Sequence, residues 1–413
     1  MPHYLAIGQI PPKKHTAFST ADGLPCFEEF IGEEGFSSTG SLMYHTRVPA
    51  ALTDSREWDL GDTSMKANRP LLPHHFRLHE LFADDGVAKD AVRHRVPVLG
   101  NADVTIRYVV AHAVSPLYSN AVGDELVFVE SGSATLETIF GAIEVRQGDN
   151  VVISRTTIHR WVPHTDREGP LRLYCVEGRG HIRPPSKYLS RYGQFLEGSP
   201  VTERDLRTPV DVLLAPPELA DADTEVYVKH SGRDGVTGSV FVYDHHPFDV
   251  VGWDGQLYPY AFNYRDFAPV TGLLIQPPPT YQVFEGEGFV VCNFVPRILE
   301  YHPQAIKVPY YHSNVDSDEV MFYFAGETAA REGSGIRDGS VSLHPAGYTH
   351  GPGRQAYLES PKHTESKETA FMVDTFRPLE VASAAARCED PAYPWTWSGR
   401  GPTASSRPAV DAR

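Results

Sequence analysis

Two stretches of the chain, about 190 residues apart, repeat one another, and no other feature constrains the fold as strongly. In the first stretch Glu125 is followed, after six residues, by a glycine, and a later strand-like segment ends near His159. In the second stretch Glu319 has the same relation to a glycine, and the stretch ends with a Gly-x5-Pro-x-Gly-x2-His motif at His350. Strand pairs that recur in this way predict two small β-barrels joined in one chain.

The segments around these motifs are typical of β-strands. Gly and Pro, 34 of each, fall between short runs of β-branched and aromatic residues such as ELVFVESG, GSVFVYD and SVSLHPAG. Helical periodicity is nearly absent from these runs, so helix should be a minor component. We predict an all-β fold with two jelly-roll-like barrels and additional β-rich segments near the N-terminus.

Charge and composition exclude several classes of protein. Lys and Arg number 37 against 53 for Asp and Glu, and the net charge of -16 repels a phosphate backbone, so we expect no nucleic-acid partner. No apolar run approaches the ~18 residues of a membrane span, and the start of the chain lacks an apolar signal core. We therefore expect no membrane association and a cytoplasmic location. The four scattered cysteines favour reduced structural thiols.

The second repeat carries a pattern of metal ligands. In PYYHSNVDSDEVMFYFAG, His312 stands seven residues before Glu319, which opens an apolar strand, and His350 follows 31 residues after Glu319. A hairpin-rich barrel can bring such strands side by side, so that inward side chains converge. Two imidazoles and one carboxylate leave coordination positions open, which suits Fe(II) that binds oxygen and a chelating substrate together.

The first repeat lacks this ligand set. It keeps Glu125 and His159, but Tyr118 and Asn120 occupy the positions seven and five residues before Glu125, so at least one imidazole is missing. We predict that this barrel is retained for packing and assembly.

The domain boundaries follow from the repeat. Residues 1–270 would form an N-terminal β-rich domain containing a degenerate barrel with its core at about 103–180, and 271–385 would form the C-terminal metal-binding barrel. Residues 386–413 are rich in small and polar residues and Pro, so we predict a flexible tail.

The two motifs match those of the cupin superfamily, and longer blocks narrow the resemblance. The segments KKHTAFSTADGLPCFEEFIGEEGFSSTGSLMYH, DVVGWDGQLYPYAFNYRDF, VPYYHSNVDSDEV, SVSLHPAGYTHGP and TAFMVDTFRPLE resemble the homogentisate 1,2-dioxygenase family over most of residues 3–380. The resemblance implies a mononuclear non-haem Fe(II) enzyme of tyrosine catabolism that opens the ring of a para-dihydroxyphenyl acid with both atoms of O2, converting homogentisate to maleylacetoacetate. It also implies a homo-oligomer, a trimer or a hexamer.

Carried over residue by residue, the resemblance implies a set of site residues. Three would bind the iron: His312, Glu319 and His350. Three more would belong to the active site, a second histidine and two pocket tyrosines: His344, Tyr311 and Tyr323.

Two departures from the family pattern leave alternatives open. The spacing from His312 to Glu319 is one residue longer than in the animal enzymes, so Asp318 is also a candidate carboxylate, although Glu319 fits the cupin register better. The family's histidine that assists substrate deprotonation has no counterpart in LLIQPPPTYQVFEG, where Gln276 or Tyr281 stands nearest to the expected position.

The missing histidine changes the expected chemistry. Glutamine cannot accept a proton near neutral pH, and tyrosine has a pKa near 10. We expect Fe(II) to lower the pKa of the ring hydroxyl, with His344 or water accepting the proton. Arginines near the motifs could pair with a substrate carboxylate, but we interpret them as exposed loop residues: Arg331, Arg337 and Arg354.

The predicted function is therefore Fe(II)-dependent ring cleavage of a small aromatic diol acid by O2. One alternative is a related dioxygenase for a different hydroquinone or gentisate-like acid. Another is a non-enzymatic cupin that binds a small acid. A third is an isomerase or hydrolase that uses zinc or manganese on the same ligands.

Overall fold

The computed structural model describes residues 3–82, 87–233, 235–326, 331 and 333–398, and most of its regular structure is β-strand. The first strands in chain order are β1 Leu5–Gly8, β2 Phe27–Gly32, β3 Gly40–His45, β4 Leu52–Trp58, β5 Met65–Ala67, β6 His74–Arg77, β7 Val96–Gly100, β8 Val104–Ala111, β9 Leu117–Asn120, β10 Glu125–Ser131, β11 Ser133–Thr138, β12 Gly141–Arg146, β13 Asp149–Ile153, β14 His159–Pro163 and β15 Leu171–Gly178. The remaining strands are β16 Ile182–Arg183, β17 Leu206–Arg207, β18 Thr224–Gly232, β19 Gly235–Tyr243, β20 Val250–Gly255, β21 Tyr260–Asn263, β22 Gln282–Gly286, β23 Phe289–Phe294, β24 Arg297–Ile298, β25 Asp318–Ala325, β26 Ser340–His344, β27 Glu365–Ser366, β28 Thr369–Thr375 and β29 Glu380–Ala382.

Helix is a minor component, as the sequence predicts. Within the described ranges the α-helices are α1 Thr165–Glu168 and α2 Arg354–Glu359. Short 3-10 helices lie at Glu34–Phe36, Leu78–Leu81, Ser186–Tyr188, Glu203–Asp205, Tyr264–Asp266, Pro278–Tyr281, Ser360–Lys362, Ser383–Cys388 and Tyr393–Trp395. In the described part of the chain, no helix has both the length and the apolar character that crossing a bilayer requires.

The described strands form five sheets. A nine-stranded sheet (β17-β21-β13-β10-β15-β8-β7-β29-β5) and a seven-stranded sheet (β12-β11-β14-β9-β18-β19-β4) make up the first jelly-roll-like unit, called the N-terminal barrel below. A second seven-stranded sheet (β16-β22-β23-β28-β25-β26-β6) and the ribbon β24-β27 make up the C-terminal barrel. The fourth large sheet, β1-β20-β3-β2, is the predicted additional N-terminal β-structure. The prediction of an all-β fold is confirmed.

Strand β10 shows why the nine-stranded sheet is buried on both faces. Successive side chains of a strand point to opposite faces. Val127 and Val129 pack inside the N-terminal barrel, whereas Leu126 and Phe128 pack toward the C-terminal barrel, and all four are fully buried. The segment therefore reads as a continuous apolar run rather than an alternating one.

The two barrels share an extensive aromatic core. Tyr174 on β15 stacks on Phe322 of β25 with ring centroids 4.4 Å apart, and Phe128 lies 4.5 Å from Phe324. Buried aromatic pairs in offset or tilted arrangements add about 0.5–1.5 kcal/mol each beyond the burial of their surface. Because Val320, Phe322 and Phe324 occupy this face of β25, the alternate residues of the strand point into the C-terminal barrel.

The chain crosses between the barrels more often than the predicted boundary at 270/271 suggests. Strand β6, from the first hundred residues, pairs with β26 in the C-terminal sheet, and β16 pairs with β22. In return β29 pairs with β7 in the N-terminal barrel. Each barrel therefore contains strands from the other predicted domain.

The prediction of a flexible tail beginning at residue 386 is wrong for residues 386–398. Residues 389–398, called the C-terminal strap below, pack on the C-terminal barrel, where Tyr393 has no exposed surface. Glu389 forms a bridge with Phe76 of β6, and Trp397 donates from Nε1 to the carbonyl of Gly351 at 2.9 Å. The buried aromatic surface outweighs the ordering entropy that the Pro-rich composition implies. The rest of the predicted tail, 399–413, lies outside the described residues.

Candidate metal centre

Glu319 lies near the start of β25 and points into the C-terminal barrel. On β25 the neighbouring Asp318 points elsewhere: its Oδ1 accepts a hydrogen bond from the Ala346 amide at 2.8 Å and its Oδ2 from the Leu379 amide at 2.7 Å. The carboxylate of Asp318 thus ties loops to the strand, whereas that of Glu319 meets histidines. Of the two candidate carboxylates, the structure brings Glu319 into the cluster.

His312 and His350 face each other across a short antiparallel bridge. Each backbone N–H donates to the other's carbonyl at 2.9 Å, and the ring centroids are 4.3 Å apart. Nδ1 of His312 lies 3.0 Å from the carbonyl of Tyr310, and Nδ1 of His350 lies 3.0 Å from that of Tyr348. A carbonyl only accepts, so both Nδ1 atoms carry the proton. Nε2 is therefore the atom of each ring that can give up a proton and bind a metal.

These Nε2 atoms converge on the carboxylate. Nε2 of His350 lies 3.2 Å from Glu319 Oε1, and Nε2 of His312 lies 3.4 Å from Oε2. One ligand atom from each of the three residues lies within 4.8 Å of the others. We call His312, Glu319 and His350 the triad. Two imidazole nitrogens and one carboxylate are the donor set that non-haem Fe(II) oxygenases use, with further positions open.

The electrostatics of the site favour an ionised carboxylate. Burial alone would raise the pKa of Glu319, but hydrogen bonds with His312, His344 and His350 outweigh it and hold that pKa well below its usual range. The hydrogen bond to Glu319 also raises the pKa of His312. A divalent cation would replace these protons as the counter-charge, so the residues present fit a metal.

The other predicted site residues differ in burial and in their contacts. Tyr323 is buried on the same face of β25 as Glu319, and burial raises its pKa well above the usual value. Tyr311, next to His312, is half exposed and stacks on Tyr357 with ring centroids 5.8 Å apart. Gln276 lies in a partly exposed segment, and its amide donates to the Leu274 carbonyl at 3.2 Å. Roles for these residues stay predictions.

His344 joins the triad from β26, directly opposite Glu319 in the sheet. Its Nδ1 lies 2.9 Å from Glu319 Oε1, and its Nε2 lies 2.8 Å from the Tyr393 hydroxyl. Burial lowers the pKa of His344 to about 4 despite the nearby carboxylate, so its ring is neutral near pH 7. With both nitrogens engaged, His344 contacts the ligand carboxylate directly.

Two groups near the triad were missed by sequence reasoning. Asp374 on β28 is the other cross-strand neighbour of Glu319, and burial, followed by repulsion from Glu319, raises its pKa to about 8. The block TAFMVDTFRPLE contains it, but only the strand register reveals the neighbour. Tyr393 lies in the predicted tail, whose composition concealed its burial.

One of the three arginines was misassigned. Arg331 is only 6% exposed, and its guanidinium lies 3.6 Å above the ring of Trp397, so its interpretation as an exposed loop residue is wrong. Arg337 pairs with Glu80 at an exposed position, and Arg354 is also exposed, as expected.

The N-terminal barrel has the same arrangement of strands around Glu125 but a different counter-charge. Arg95 donates from Nη1 to Glu125 at 2.8 Å and to Glu177 at 3.0 Å, and all three side chains are buried. The Tyr118 hydroxyl and the Asn120 amide donate to the other oxygen of Glu125 at 2.8 and 2.9 Å. A guanidinium thus neutralises the carboxylate that corresponds to the metal ligand.

Comparisons with known proteins assign the family. The models for Homogentisate 1,2-dioxygenase N-terminal and Homogentisate 1,2-dioxygenase C-terminal match residues 60–264 and 279–401. A protein of Saccharolobus solfataricus is 36% identical over 96% of this chain and 99% of its own length. Its provisional name is that of a dioxygenase and states no substrate. A homogentisate 1,2-dioxygenase of Rhodopseudomonas palustris is 31% identical over 71% of this chain and 65% of that protein.

Among solved structures, a cupin 2 conserved barrel domain protein from Leptotrichia buccalis superposes with a TM-score of 0.32 and 9% identity, over 76% of this chain and 100% of that one. The two family models together cover most of the sequence. The chain therefore belongs to the homogentisate 1,2-dioxygenase family, and it is a dioxygenase of this family.

Proposed function

We propose that the protein is an Fe(II)-dependent dioxygenase that cleaves the ring of homogentisate, inserting both atoms of O2 to give maleylacetoacetate. The observation that carries the proposal is the triad, in which two Nε2 atoms and one carboxylate converge while the Nδ1 protons are held by backbone carbonyls. Membership of the homogentisate 1,2-dioxygenase family supports the substrate class.

The triad residues would hold the iron from one side. The side chain of His312 is 26% exposed, whereas those of Glu319 and His350 are 10% and 2% exposed, so a ligand would enter beside His312. When bound there, Fe(II) would lower the pKa of a coordinated ring hydroxyl and allow O2 and the ring to react side by side. The carbonyls of Tyr310 and Tyr348 keep the two imidazoles oriented throughout.

No histidine lies between His246 and His302, where the resemblance predicts the histidine that assists substrate deprotonation, so another group must take the substrate proton. Burial raises the pKa of Tyr281, so it is a poor base. Asp374 is the carboxyl group nearest to Glu319 across the sheet. We propose that water at the exposed side near His312 takes the proton. The same change in the pocket favours a second candidate function, cleavage of another hydroquinone or gentisate-like acid.

The test is anaerobic reconstitution with Fe(II), followed by homogentisate, gentisate or hydroquinone in aerated buffer, with dissolved oxygen and ultraviolet absorbance recorded together. One O2 consumed per homogentisate, with a ring-opened product two oxygen atoms heavier, supports the proposal. Uptake with another diol alone supports the second candidate. Binding of the acids without oxygen uptake would overturn both and leave a binding protein. The matched control is Glu319→Gln, which keeps the shape of the ligand but removes its charge.

We also propose that the protein acts as a homo-oligomer. Exposed apolar residues cluster in sequence near the ligand His312: Ile298, Tyr301, Ile306, Tyr310, Tyr311 and Val315. Apolar patches of this kind on a soluble protein mark interaction surfaces. Light scattering coupled to size-exclusion chromatography should give three or six chains per particle, and a monomer at micromolar concentration would contradict the proposal.

A further inference from the structure

The C-terminal strap reaches the metal centre without supplying a ligand to it. At its start, Arg77 donates to Asp390 at 2.6 Å and the Asp390 amide donates to the carbonyl of His75 at 2.8 Å, which fixes the strap to β6. Farther along, Tyr393 bonds His344, and Trp397 bonds the carbonyl of Gly351, the residue after the ligand His350. Tyr393 is thus separated from Glu319 by the side chain of His344, and Trp397 binds the residue next to His350.

The proton positions in this chain of hydrogen bonds can be assigned. An ionised carboxylate only accepts, so Nδ1 of His344 must donate to Glu319 Oε1. With the proton on Nδ1, Nε2 of His344, which lies 2.8 Å from the Tyr393 hydroxyl, is left with a lone pair and accepts from that hydroxyl. The order is Tyr393 O–H to Nε2, then Nδ1–H to Glu319. The opposite tautomer would leave two lone pairs facing each other at the carboxylate.

Packing holds the same groups in place. The ring of Tyr393 lies at a tilt of 22° to that of His344 and meets Trp397 edge-on at 5.3 Å. Trp397 in turn lies under the guanidinium of Arg331, which donates to the Thr396 hydroxyl at 2.8 Å. Tyr393 therefore cannot turn away from His344 without disturbing the strap.

We propose that Tyr393 is a positioning residue for the metal centre: it fixes the tautomer and the ring orientation of His344, and through His344 it orients the carboxylate of Glu319 toward the metal. The inference rests on the proposed function, because it assumes that the triad binds a metal. It extends the site to a segment whose sequence carries no ligand motif. Partners that orient a metal ligand from outside typically change metal affinity 10–100-fold, or about 1.4–2.7 kcal/mol, when removed.

The test uses Tyr393→Phe in the full-length protein and an anaerobic Co(II) titration followed by visible absorbance. The expected result is a Kd for Co(II) weaker by about 10–100-fold and a shifted d–d band. The matched control is Tyr174→Phe: Tyr174 lies on β15, its buried hydroxyl has no hydrogen-bond partner among the described residues, and phenylalanine keeps its stack on Phe322. The Kd of this control should equal that of the wild type. An unchanged Kd and spectrum for Tyr393→Phe, even with a lowered melting temperature, would overturn the inference.

A second variant shows whether Tyr393 acts through His344. In His344→Asn the side-chain amide still offers an N–H donor to Glu319, but it has no ring nitrogen that accepts from the Tyr393 hydroxyl. Adding Tyr393→Phe to His344→Asn should then change the Kd no further, whereas equal effects in both backgrounds would overturn the proposed route.

A measurement on the metal-free protein separates this inference from the proposed function. With 15N-labelled histidine, the wild type should show His344 protonated on Nδ1 alone, with the signal assigned by its absence in His344→Asn. Tyr393→Phe removes the donor to Nε2 and leaves Glu319 alone to favour Nδ1–H, so a fraction of the His344 rings should become protonated on Nε2. If the wild type binds no Co(II), the proposed function fails while the tautomer result still decides the role of Tyr393. An unchanged tautomer in Tyr393→Phe would overturn that role.

Discussion

The two barrels place a glutamate at the same point of the same strand arrangement and neutralise it in different ways. Glu319 of β25 lies opposite His344 on one side and Asp374 on the other. Glu125 of β10 lies opposite Ile153 and Glu177 at the corresponding positions. Both barrels therefore place a second carboxylate, Asp374 or Glu177, across from the glutamate. Only the C-terminal barrel places a histidine, His344, on the other side.

The bridge that holds the two imidazoles is also common to both. His312 faces His350 in the C-terminal barrel, and Tyr118 faces His159 in the N-terminal one. Nδ1 of His159 lies 2.9 Å from the carbonyl two residues earlier, as in His350, but among the described residues its Nε2 has no hydrogen-bond partner. The N-terminal barrel therefore keeps this backbone arrangement with one imidazole fewer and with a side-chain cation beside its glutamate.

That cation is Arg95, with help from Lys229. Lys229 donates to Glu177 at 2.6 Å, and both side chains are buried. Burial works against ionisation of the carboxylates, but Arg95 holds the pKa of Glu125 below its usual value, and Lys229, Arg107 and Arg95 do the same for Glu177. In the N-terminal barrel the cation is part of the protein and has only a structural role. In the C-terminal barrel an exchangeable metal with open coordination positions could also bind a substrate.

The same substitution in each barrel should have the largest and most unequal effects. Glu319→Gln should lose its metal and more than about a hundredfold of its oxygen uptake, a larger effect than loss of an outer partner. Glu125→Gln should leave the activity per bound metal unchanged. Oxygen uptake at equal protein concentration checks both, and equal activity losses would contradict the assigned division of roles.

The next largest effect should come from the cation of the N-terminal barrel. Arg95→Met leaves Glu125 and Glu177 buried with one fewer positive charge, which should lower the free energy of unfolding by about 3–5 kcal/mol. Urea unfolding followed by tryptophan fluorescence measures it. Arg337→Met, at an exposed pair, is the control and should cost less than about 1 kcal/mol. A loss no larger than that of the control would show that Arg95 is not essential to the barrel.

A metal site introduced into the N-terminal barrel would test the comparison from the opposite direction. Combining Tyr118→His with Arg95→Ala restores a His, Glu, His set with the unpartnered Nε2 of His159 and removes the competing guanidinium. The double variant should bind a second Co(II) per chain, weaker than the first by at least about tenfold because its outer partners differ. Arg95→Ala alone should not. A folded double variant that binds one Co(II) would mean that the N-terminal geometry cannot accept a metal.

The smallest effect should be on the pH dependence of stability. Burial lowers the pKa of His159 and of His344 to about 4, below the unfolded value of about 6.5. The unfolded chain then binds more protons between these values, so metal-free protein should lose stability as pH falls from 6.5 to 4, by up to about 1.4 kcal/mol per pH unit for each histidine. Thermal unfolding at pH 7 and pH 5 measures this. His159→Gln should flatten the curve, and an identical curve for that variant would contradict the assignment.

The triad could be predicted from the sequence because its residues lie in two short motifs with fixed spacing, and because the Glu-x6-Gly element of those motifs occurs twice in the chain. The choice between Asp318 and Glu319 depended on which face of β25 each occupies, which the backbone amides at Ala346 and Leu379 reveal. Arg95 lies 30 residues before Glu125 and outside the repeat, so no motif links them. Tyr393 lies in a segment whose composition predicts disorder, and only tertiary packing overrides that tendency.

We infer that one barrel binds the catalytic metal and that the other carries its own cation. Anaerobic loading with Fe(II), removal of excess ion and determination of iron per chain tests it in the wild type, Glu319→Gln and Glu125→Gln. We predict one iron, none and one. Two irons in the wild type, or one iron retained in Glu319→Gln, would contradict the claim.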